Sequence, residues 1–380
     1  AYWSSRAADG SALTVAESQR VPLAMKDVPP TAPARAGLPD SPPRGDAVRR
    51  ISIVVLTHNR DRLLGGCLDS LASQADPGAA LEIVVVDDGS TDATPAVVRE
   101  RQARDPRVRY CPRPHGGIAA ARNTGILHAT GEIVAIVADD YLLAPDYART
   151  IVSFFRADPA AMIVRFRLVA ADDRILSRVG HAYQEASANR RIVDGDRFGG
   201  HRALWRRRRA PTSITTDHGL EAAGAAAFRR EVFDRVGLFD ESFARAEDSD
   251  LTARLRAAGI PIHYCPFHQI RHRYDTSLRT VLRTAHLSGR YRWRYYAKHG
   301  AAAPTGAALV RLRVASKLSA LYWACWRSAQ AGSLARFVSY LPFMVLIEGA
   351  NKAGFVAEAR AARRRAKAAR GAGRSTAASD

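Results

Sequence analysis

The sequence predicts an α/β fold: a doubly wound domain on a mostly parallel sheet, followed by a helical C-terminal region. Three observations carry that expectation. Short apolar runs rich in β-branched residues recur at Ile51–Leu56, Ile83–Val86 and Ile133–Val137. Runs of this kind read as strands buried on both faces. Helical patterns lie between them, and strands alternating with helices of this length favour a parallel sheet. Finally, two of the runs end in paired acids, Asp87-Asp88 and Asp139-Asp140. Carboxylates at the carboxyl ends of parallel strands stand on the rim where open α/β sheets bind ligands.

In chain order, residues 1–48 are rich in Pro, Ala, Ser and Gly without periodicity and read as a disordered leader. The first strand ends in Thr57-His58-Asn59-Arg60, and Leu63, Leu64, Leu68 and Leu71 mark a helix over 61–75. The second strand, 82–86, runs into Asp87-Asp88-Gly89-Ser90-Thr91-Asp92, a tight turn with Thr91 or Asp92 as helix cap. Val108-Arg109-Tyr110 is a candidate third strand. Gly116-Gly117 opens a helix from Ile118 to Ala129, and Gly131 leads into the strand before Asp139. Beyond residue 150 the pattern is mixed. Candidate strands lie at 162–164 and 167–169, and a basic irregular stretch at 186–218 surrounds Arg206-Arg207-Arg208-Arg209. Residues 228–258 read as helices, with Glu247-Asp248 near the start of the second. The domain is bounded at 49–277, with a basic amphipathic helical region at 278–350 and a basic, disordered tail at 351–380.

Composition narrows the function. A hydrophobic content of 47% with 25% charged residues belongs to a folded protein of one large core or two modest ones. Cys67, Cys111, Cys265 and Cys325 stand far apart without CxxC spacing, which argues against a zinc ribbon and fits a reducing compartment. No run of about 18 apolar residues predicts a membrane-spanning helix, and no apolar stretch with a cleavage site predicts a signal peptide. The net charge of +20 is uneven: from Arg271 onward there are 21 Lys and Arg against 4 Asp and Glu. That surplus asks for an anionic partner of the last third, either a membrane surface, a lipid-phosphate acceptor or nucleic acid. No motif that reads RNA or DNA accompanies it, which ranks nucleic acid last.

Neither GxxxxGK[ST] nor a GxGxxG after the first strand is present, so the usual ATPase and dinucleotide signatures are missing. The rim is provided with carboxylates instead. That suits a divalent cation bridging protein acid to a nucleoside diphosphate. Five motifs in order then resemble the family 2 glycosyltransferases of the GT-A fold. They are Val54-Val55-Leu56-Thr57-His58-Asn59-Arg60, Val84 to Asp92, and Ala121-Arg122-Asn123-Thr124-Gly125 with Gly131-Glu132. Phe228-Arg229-Arg230 with Val236 to Glu241, and Glu247-Asp248-Ser249-Asp250-Leu251, complete the set. They cover roughly residues 50–275.

The resemblance implies a GT-A (Rossmann-like) domain, a nucleotide-sugar donor, usually a UDP-sugar, and inversion at the anomeric carbon. It implies a nucleotide site of Thr57, Asn59 and Arg60 on the enclosing loop, Asp87 toward the base, Arg122 toward the phosphates and Asp139 toward the ribose. It places the Mn²⁺ or Mg²⁺ ligand at Asp140, with His272 near the diphosphate. Where many members carry Asp-X-Asp this chain reads Ala138-Asp139-Asp140, so one acid is missing. Asp248 matches the general base, with Glu247 beside it. The acceptor is expected to be a glycan, such as a cell-envelope polysaccharide, or a lipid-linked sugar. Transfer to a polyprenyl phosphate and nucleotide-sugar binding with weak catalysis stand as alternatives. For His272 a satisfied histidine beside a basic loop, and for Arg206 to Arg209 a solvated or disordered run, remain open.

Residues 309–347 have the makings of interfacial helices: Leu318, Leu321, Tyr322, Cys325 and Trp326 recur at helical spacing beside Arg313, Lys317 and Arg327. The expected location is cytoplasmic, peripheral at the inner face of the membrane. The alternative is a packed helical subdomain.

Overall fold

A computed structural model describes residues 48–181, 219–220, 223–274, 277–299 and 334–376. The expected leader up to residue 47, Arg206 to Arg209, and the 309–333 part of the amphipathic region lie outside those residues. The centre is an eight-stranded mixed sheet of order β3-β2-β1-β4-β7-β6-β8-β5. Strands β1 (Arg50–Thr57), β2 (Ala80–Asp87), β3 (Val108–Pro112) and β4 (Ile133–Ala138) are parallel. Helices α1 (Asp61–Ala72), α2 (Thr94–Arg104) and α3 (Ile118–His128) connect them.

The chain steps outward from β1 to β3 and then returns through α3 to lay β4 on the other side of β1. That reversal opens a crevice beyond the carboxyl ends of β1 and β4, the place where doubly wound sheets take ligands. The register sets Thr57 opposite Asp87 and Leu56 opposite Ala138. Thr57, Asp87 and Asp139 therefore stand side by side on one rim.

The strands are apolar throughout because both faces are covered. Ile51, Ile53 and Val55 face a layer that includes Leu64, Leu68 and Leu71 of α1, and Ile151 and Phe155 of α4 (Tyr147–Ala157). Val54, Val84 and Val86 face the opposite layer, with Ile126 of α3. Each fully buried Val or Ile contributes roughly 1.5–3 kcal/mol. Gly125 lets α3 approach: a Cβ there would lie 2.1 Å from Val54 Cγ1.

The other half of the sheet is less regular. After β5 (Tyr141–Leu142) and α4 comes β6 (Ile163–Ala170), one strand where the sequence suggested two short ones. It is followed by β7 (Ala225–Arg229), α5 (Glu231–Val236), α6 (Glu247–Ala257) and β8 (His263–His272). Pairing here is mixed: β7 runs antiparallel to both β4 and β6, and β8 runs parallel to β6. The Ala-rich β7 and the His- and Arg-containing β8 are not expected from their composition. β7 is buried at Ala225–Phe228, so tertiary pairing overrides local propensity.

Two long helices follow, α7 (Leu278–Lys298) and α8 (Leu334–Thr376). The expectation of a disordered tail over 351–380 is corrected as far as Thr376. Ala, Arg and Lys are strong helix formers, and α8 has a partner to pack on. Gly289 of α7 meets Asn351, Gly354 meets His286, and Arg290 and Arg294 meet Glu358. Val281, Leu282 and Ala285 of α7 share a cluster with Tyr340, Phe343, Met344 and Ile347 of α8, whereas Arg290 and Arg294 further along α7 meet Glu358, so the helices run in the same direction. A Cβ on Gly289 would lie 1.8 Å from the Asn351 carbonyl oxygen, and one on Gly354 1.9 Å from that of His286. Glu358 is wholly buried and accepts from Arg290 Nε (2.9 Å), Arg294 Nε (3.0 Å) and Arg365 Nη2 (3.0 Å). Among the described residues no helix is long and apolar enough to cross a membrane.

Two predictions follow from this packing. Gly125→Ala forces α3 off β1 and should lower stability by about 1–3 kcal/mol in denaturant titration, without changing the denaturant dependence. Burial alone would raise Glu358, but its three arginines hold it down at about 2. Its contribution is therefore complete above the unfolded carboxyl value near 4.5 and is lost as pH falls toward 2. Glu358→Gln should weaken the protein at neutral pH and flatten the acid limb of a stability–pH curve between those values.

Candidate active site

The first loop of the rim is held by the chain's own polar groups. Asp87 Oδ1 accepts from Ser90 N at 2.9 Å, and Oδ2 accepts from the Tyr110 hydroxyl at 2.8 Å. Asp88 accepts from Gly116 N (3.0 Å), Gly117 N (2.8 Å), Arg113 and His115. Both carboxylates are buried. They brace the rim by tying the turn after β2 to β3 and to the start of α3. His58 and His115 stack 4.3 Å apart, each with Nδ1 against the Asp88 carbonyl oxygen. Neither histidine, nor Arg113, emerges from the sequence as a site residue; the only signal is their position beside the strand ends.

Asn59 adopts a left-handed conformation, φ +53°, which Asn tolerates better than most residues. Its Oδ1 accepts from Thr91 N (2.7 Å) and its N–H donates to Ser90 Oγ (2.8 Å). It pins the β1 loop to the β2 loop. Asp92 likewise bridges two helix starts, accepting from Thr94 N and Asp61 N, whereas the N-cap of α2 is Ala93.

The second acidic pair is the electrostatic centre. Asp139 and Asp140 follow β4 directly, and both are largely buried. Burial, reinforced by the Asp140 charge, pushes Asp139 up to about 7. Burial would raise Asp140 too, but His272 and Arg60 hold it below the usual carboxylate range. Arg60 Nη1 lies 2.9 Å from Asp140 Oδ2 and 3.8 Å from Asp139 Oδ1. His272 Nε2 lies 3.4 Å from Asp140 Oδ2. Strand β5 pairs Tyr141 with His272, and this pairing delivers the histidine to the acids from the far end of the sheet.

The donor set fits a hard divalent cation. Asp140 Oδ1 and His272 Nδ1 are buried without a hydrogen-bond partner. Asp139, ionising only near 7, registers the need for positive charge. Among the described residues no group of three or more His, Cys, Asp or Glu could hold a metal unaided. A site of one carboxylate and one imidazole suits Mg²⁺ or Mn²⁺ that takes its other ligands from phosphate and water.

The third acidic pair starts α6. Glu247 and Arg122 form a buried ion pair, and the Arg122 guanidinium also lies 5.0 Å from the centre of the Phe239 ring. Arg122, expected to face the phosphates, is thus paired with Glu247, the residue expected beside the base. Asp248 is half-buried at the helix start, and its Oδ1 accepts from Ser249 N at 2.7 Å. Tyr141 is buried next to Asp140 in sequence, and burial pushes its hydroxyl well up. The structure thus gathers Thr57, Arg60, Asp139, Asp140 and His272. Arg122 and Glu247 tie the start of α6, and with it Asp248, to α3.

Comparison with known proteins accords with this geometry. Residues 52–237 match the family described as Glycosyl transferase family 2. The validoxylamine A glucosyltransferase of Streptomyces hygroscopicus subsp. limoneus is 30% identical over 251 residues, 62% of this chain and 54% of that protein. The uncharacterized glycosyltransferase EpsJ of Bacillus subtilis (strain 168) is 30% identical over 210 residues, 52% of this chain and 54% of its own length. The chain spans about half the length of these curated relatives. Among solved structures, the mannosyltransferase PcManGT of Pyrobaculum calidifontis, in complex with GDP-Man and Mn²⁺, superposes with a TM-score of 0.53 at 22% identity. The match covers 82% of this chain and 88% of that one. Residues 52–237 of the chain thus match glycosyl transferase family 2, and the fold is that of the GT-A glycosyltransferases.

Proposed function

We propose that this glycosyltransferase works with inversion. It would move a sugar from a nucleoside-diphosphate donor, a UDP-sugar in the first instance, to a hydroxyl of a glycan or lipid-linked acceptor. The observation that carries the reading is a pair of acidic sites: Asp140 keeps an oxygen buried without a partner beside Arg60 and His272, and Asp248 stands half-buried at the start of α6, which Arg122 and Glu247 tie to α3. An acceptor lying between these groups meets a base on one face and the diphosphate on the other.

Asp248 takes the acceptor hydroxyl proton as the acceptor oxygen bonds to the anomeric carbon. The bond from that carbon to the diphosphate oxygen breaks, and its electron pair leaves with the nucleoside diphosphate. Asp140 and His272 are the residues that would hold a divalent cation, whose chemistry when bound is to offset the charge growing on that diphosphate. Arg60, 41% exposed, stands where it can also turn to phosphate. Asp139 faces the ribose, and Thr57 and Asn59 shape the wall of the nucleotide site. Asp87 acts on the base through the turn it braces.

A lipid-linked acceptor at an anionic membrane surface suits the last third of the chain. Val345 and Leu346 of α8 are exposed at 68% and 47%, and basic residues Arg360, Arg363 and Arg364 follow on the same helix. An apolar stripe with flanking cations favours the interface plane.

A panel of UDP- and GDP-sugars with Mn²⁺ or Mg²⁺, read by hydrolysis and thermal shift, identifies donor and metal. Asp248→Asn should lower turnover by about 10²–10⁴-fold while leaving UDP–Mn²⁺ affinity within about twofold. Wild-type turnover in that variant would remove the base assignment. Asp140→Ala should weaken Mn²⁺-dependent UDP binding by roughly 10–100-fold in calorimetry. An unchanged metal titration places the ligand elsewhere.

A further inference from the structure

The start of α6 carries a second buried polar cluster, and two of its members, Lys298 and His299, come from the distant end of α7. Asp250 is completely buried two residues beyond Asp248. Its Oδ1 accepts from Lys298 Nζ at 2.7 Å and lies 2.9 Å from His299 Nε2. Its Oδ2 accepts from Arg254 Nε at 3.0 Å. Lys298 also donates to Asp240 at 2.6 Å, so it ties the loop before α6 to the helix itself.

The helix alone does not call for this. An acid in the first turn favours the helix dipole equally well when exposed, whereas an ionised carboxylate this deep is tolerated only when well partnered. Burial would raise Asp250, and Lys298, Arg254 and His299 more than offset it, holding it below the usual range. The backbone supplies a second sign of constraint. Ala246, immediately before the helix, has φ +67°. For a residue with a Cβ this left-handed conformation costs about 1–2 kcal/mol, and it persists only where its surroundings hold it. The strained residue lies between two anchors, the Asp240–Lys298 contact before it and the Asp250 cluster after it. Asp248 is between them.

We propose that Lys298 and His299 are positioning residues for Asp248: by gripping Asp250 they fix the Ala246–Asp248 turn and aim the Asp248 carboxylate at the acceptor. The proposal rests on the reading of Asp248 as the base. A catalytic group displaced by about 1 Å can lose some 10²-fold in rate. The end of α7 would then set turnover without touching donor or acceptor, and a group that pulls on α7 would reach the base through it.

The test uses the full chain with Lys298→Met, Lys298→Arg and the milder His299→Ala, should Lys298→Met fold poorly. Hydrogen–deuterium exchange reads the amides of residues 246–251, UDP with Mn²⁺ reads nucleotide affinity, and UDP-glucose hydrolysis reads turnover. Lys298→Met and His299→Ala should quicken exchange at 246–251 while β1 and β4 stay protected. They should lower kcat by about 10–100-fold and keep the UDP–Mn²⁺ Kd within about twofold. Lys298→Arg should restore most of kcat. Unaltered exchange at 246–251 overturns the proposal, as does a parallel fall of kcat and UDP affinity, which marks a merely structural anchor. Asp248→Asn, run alongside, separates the two readings. If it is inactive while Lys298→Met turns over normally, the positioning role alone falls; if it turns over normally, the base assignment falls and takes this proposal with it.

Discussion

The buried Arg122–Glu247 pair is the constraint on which the site depends. Arg122 comes from α3, the helix that brings the chain back across β1, and Glu247 opens α6, which packs on the same face of the sheet. Neither helix needs a charge there for its own sake. Desolvating two ions costs several kcal/mol each, and the attraction returns that only with close geometry. Such a pair is weak evidence for stability, but it is good evidence for register. With both partners about 6% exposed, any rotation of α6 would leave a charge buried and alone. The first turn of α6 is therefore fixed against the half of the sheet that carries Asp139 and Asp140.

Several other acids here have donors of their own. Asp87 accepts from Ser90 and Tyr110, Asp88 from Arg113 and the amides of Gly116 and Gly117, and Asp250 is met by Lys298, His299 and Arg254. Asp140 differs. One of its oxygens is bonded to Arg60 while the other is buried without a partner, and burial with the Asp140 charge pushes its neighbour Asp139 up. A site prepared for a cation looks like this: anionic capacity in excess of the protein's own donors.

The parallel half of the fold was legible in the sequence because its signals are local. Apolar β-branched runs mark β1, β2 and β4, and the acids that follow them mark the rim. The Ala-rich β7 was not legible: Ala225–Ala226–Ala227 favours helix on its own, and only pairing with β4 and β6 makes it a strand. Nor was β8, whose histidines and arginines disguise an alternation of buried and exposed positions. The residues at the three acidic pairs could be named in advance, but their partners could not. Arg122 is 125 positions from Glu247 and His272 is 132 from Asp140, and nothing in the local pattern records a contact across such distances. Arg122, read as a phosphate contact, is in this way also the partner of a distant acid.

The charge of the C-terminal third needs the same distinction between placement and number. Of its cations, Arg290, Arg294 and Arg365 converge on one buried Glu358, and Lys298 is held between Asp240 and Asp250. These four organise the helices and cannot all serve an outside partner without undoing contacts inside. Near an anionic leaflet each Lys or Arg is worth on the order of 1 kcal/mol, but that figure applies only to cations free to approach it. Glu358 meets three guanidinium groups with one carboxylate, so the cluster remains net positive even when every bond is made. An anion approaching the helices thus meets a field that internal pairing reduces but does not cancel. The close Gly289 and Gly354 crossing keeps that field on a rigid frame, joined through Lys298 to the helix that carries Asp248.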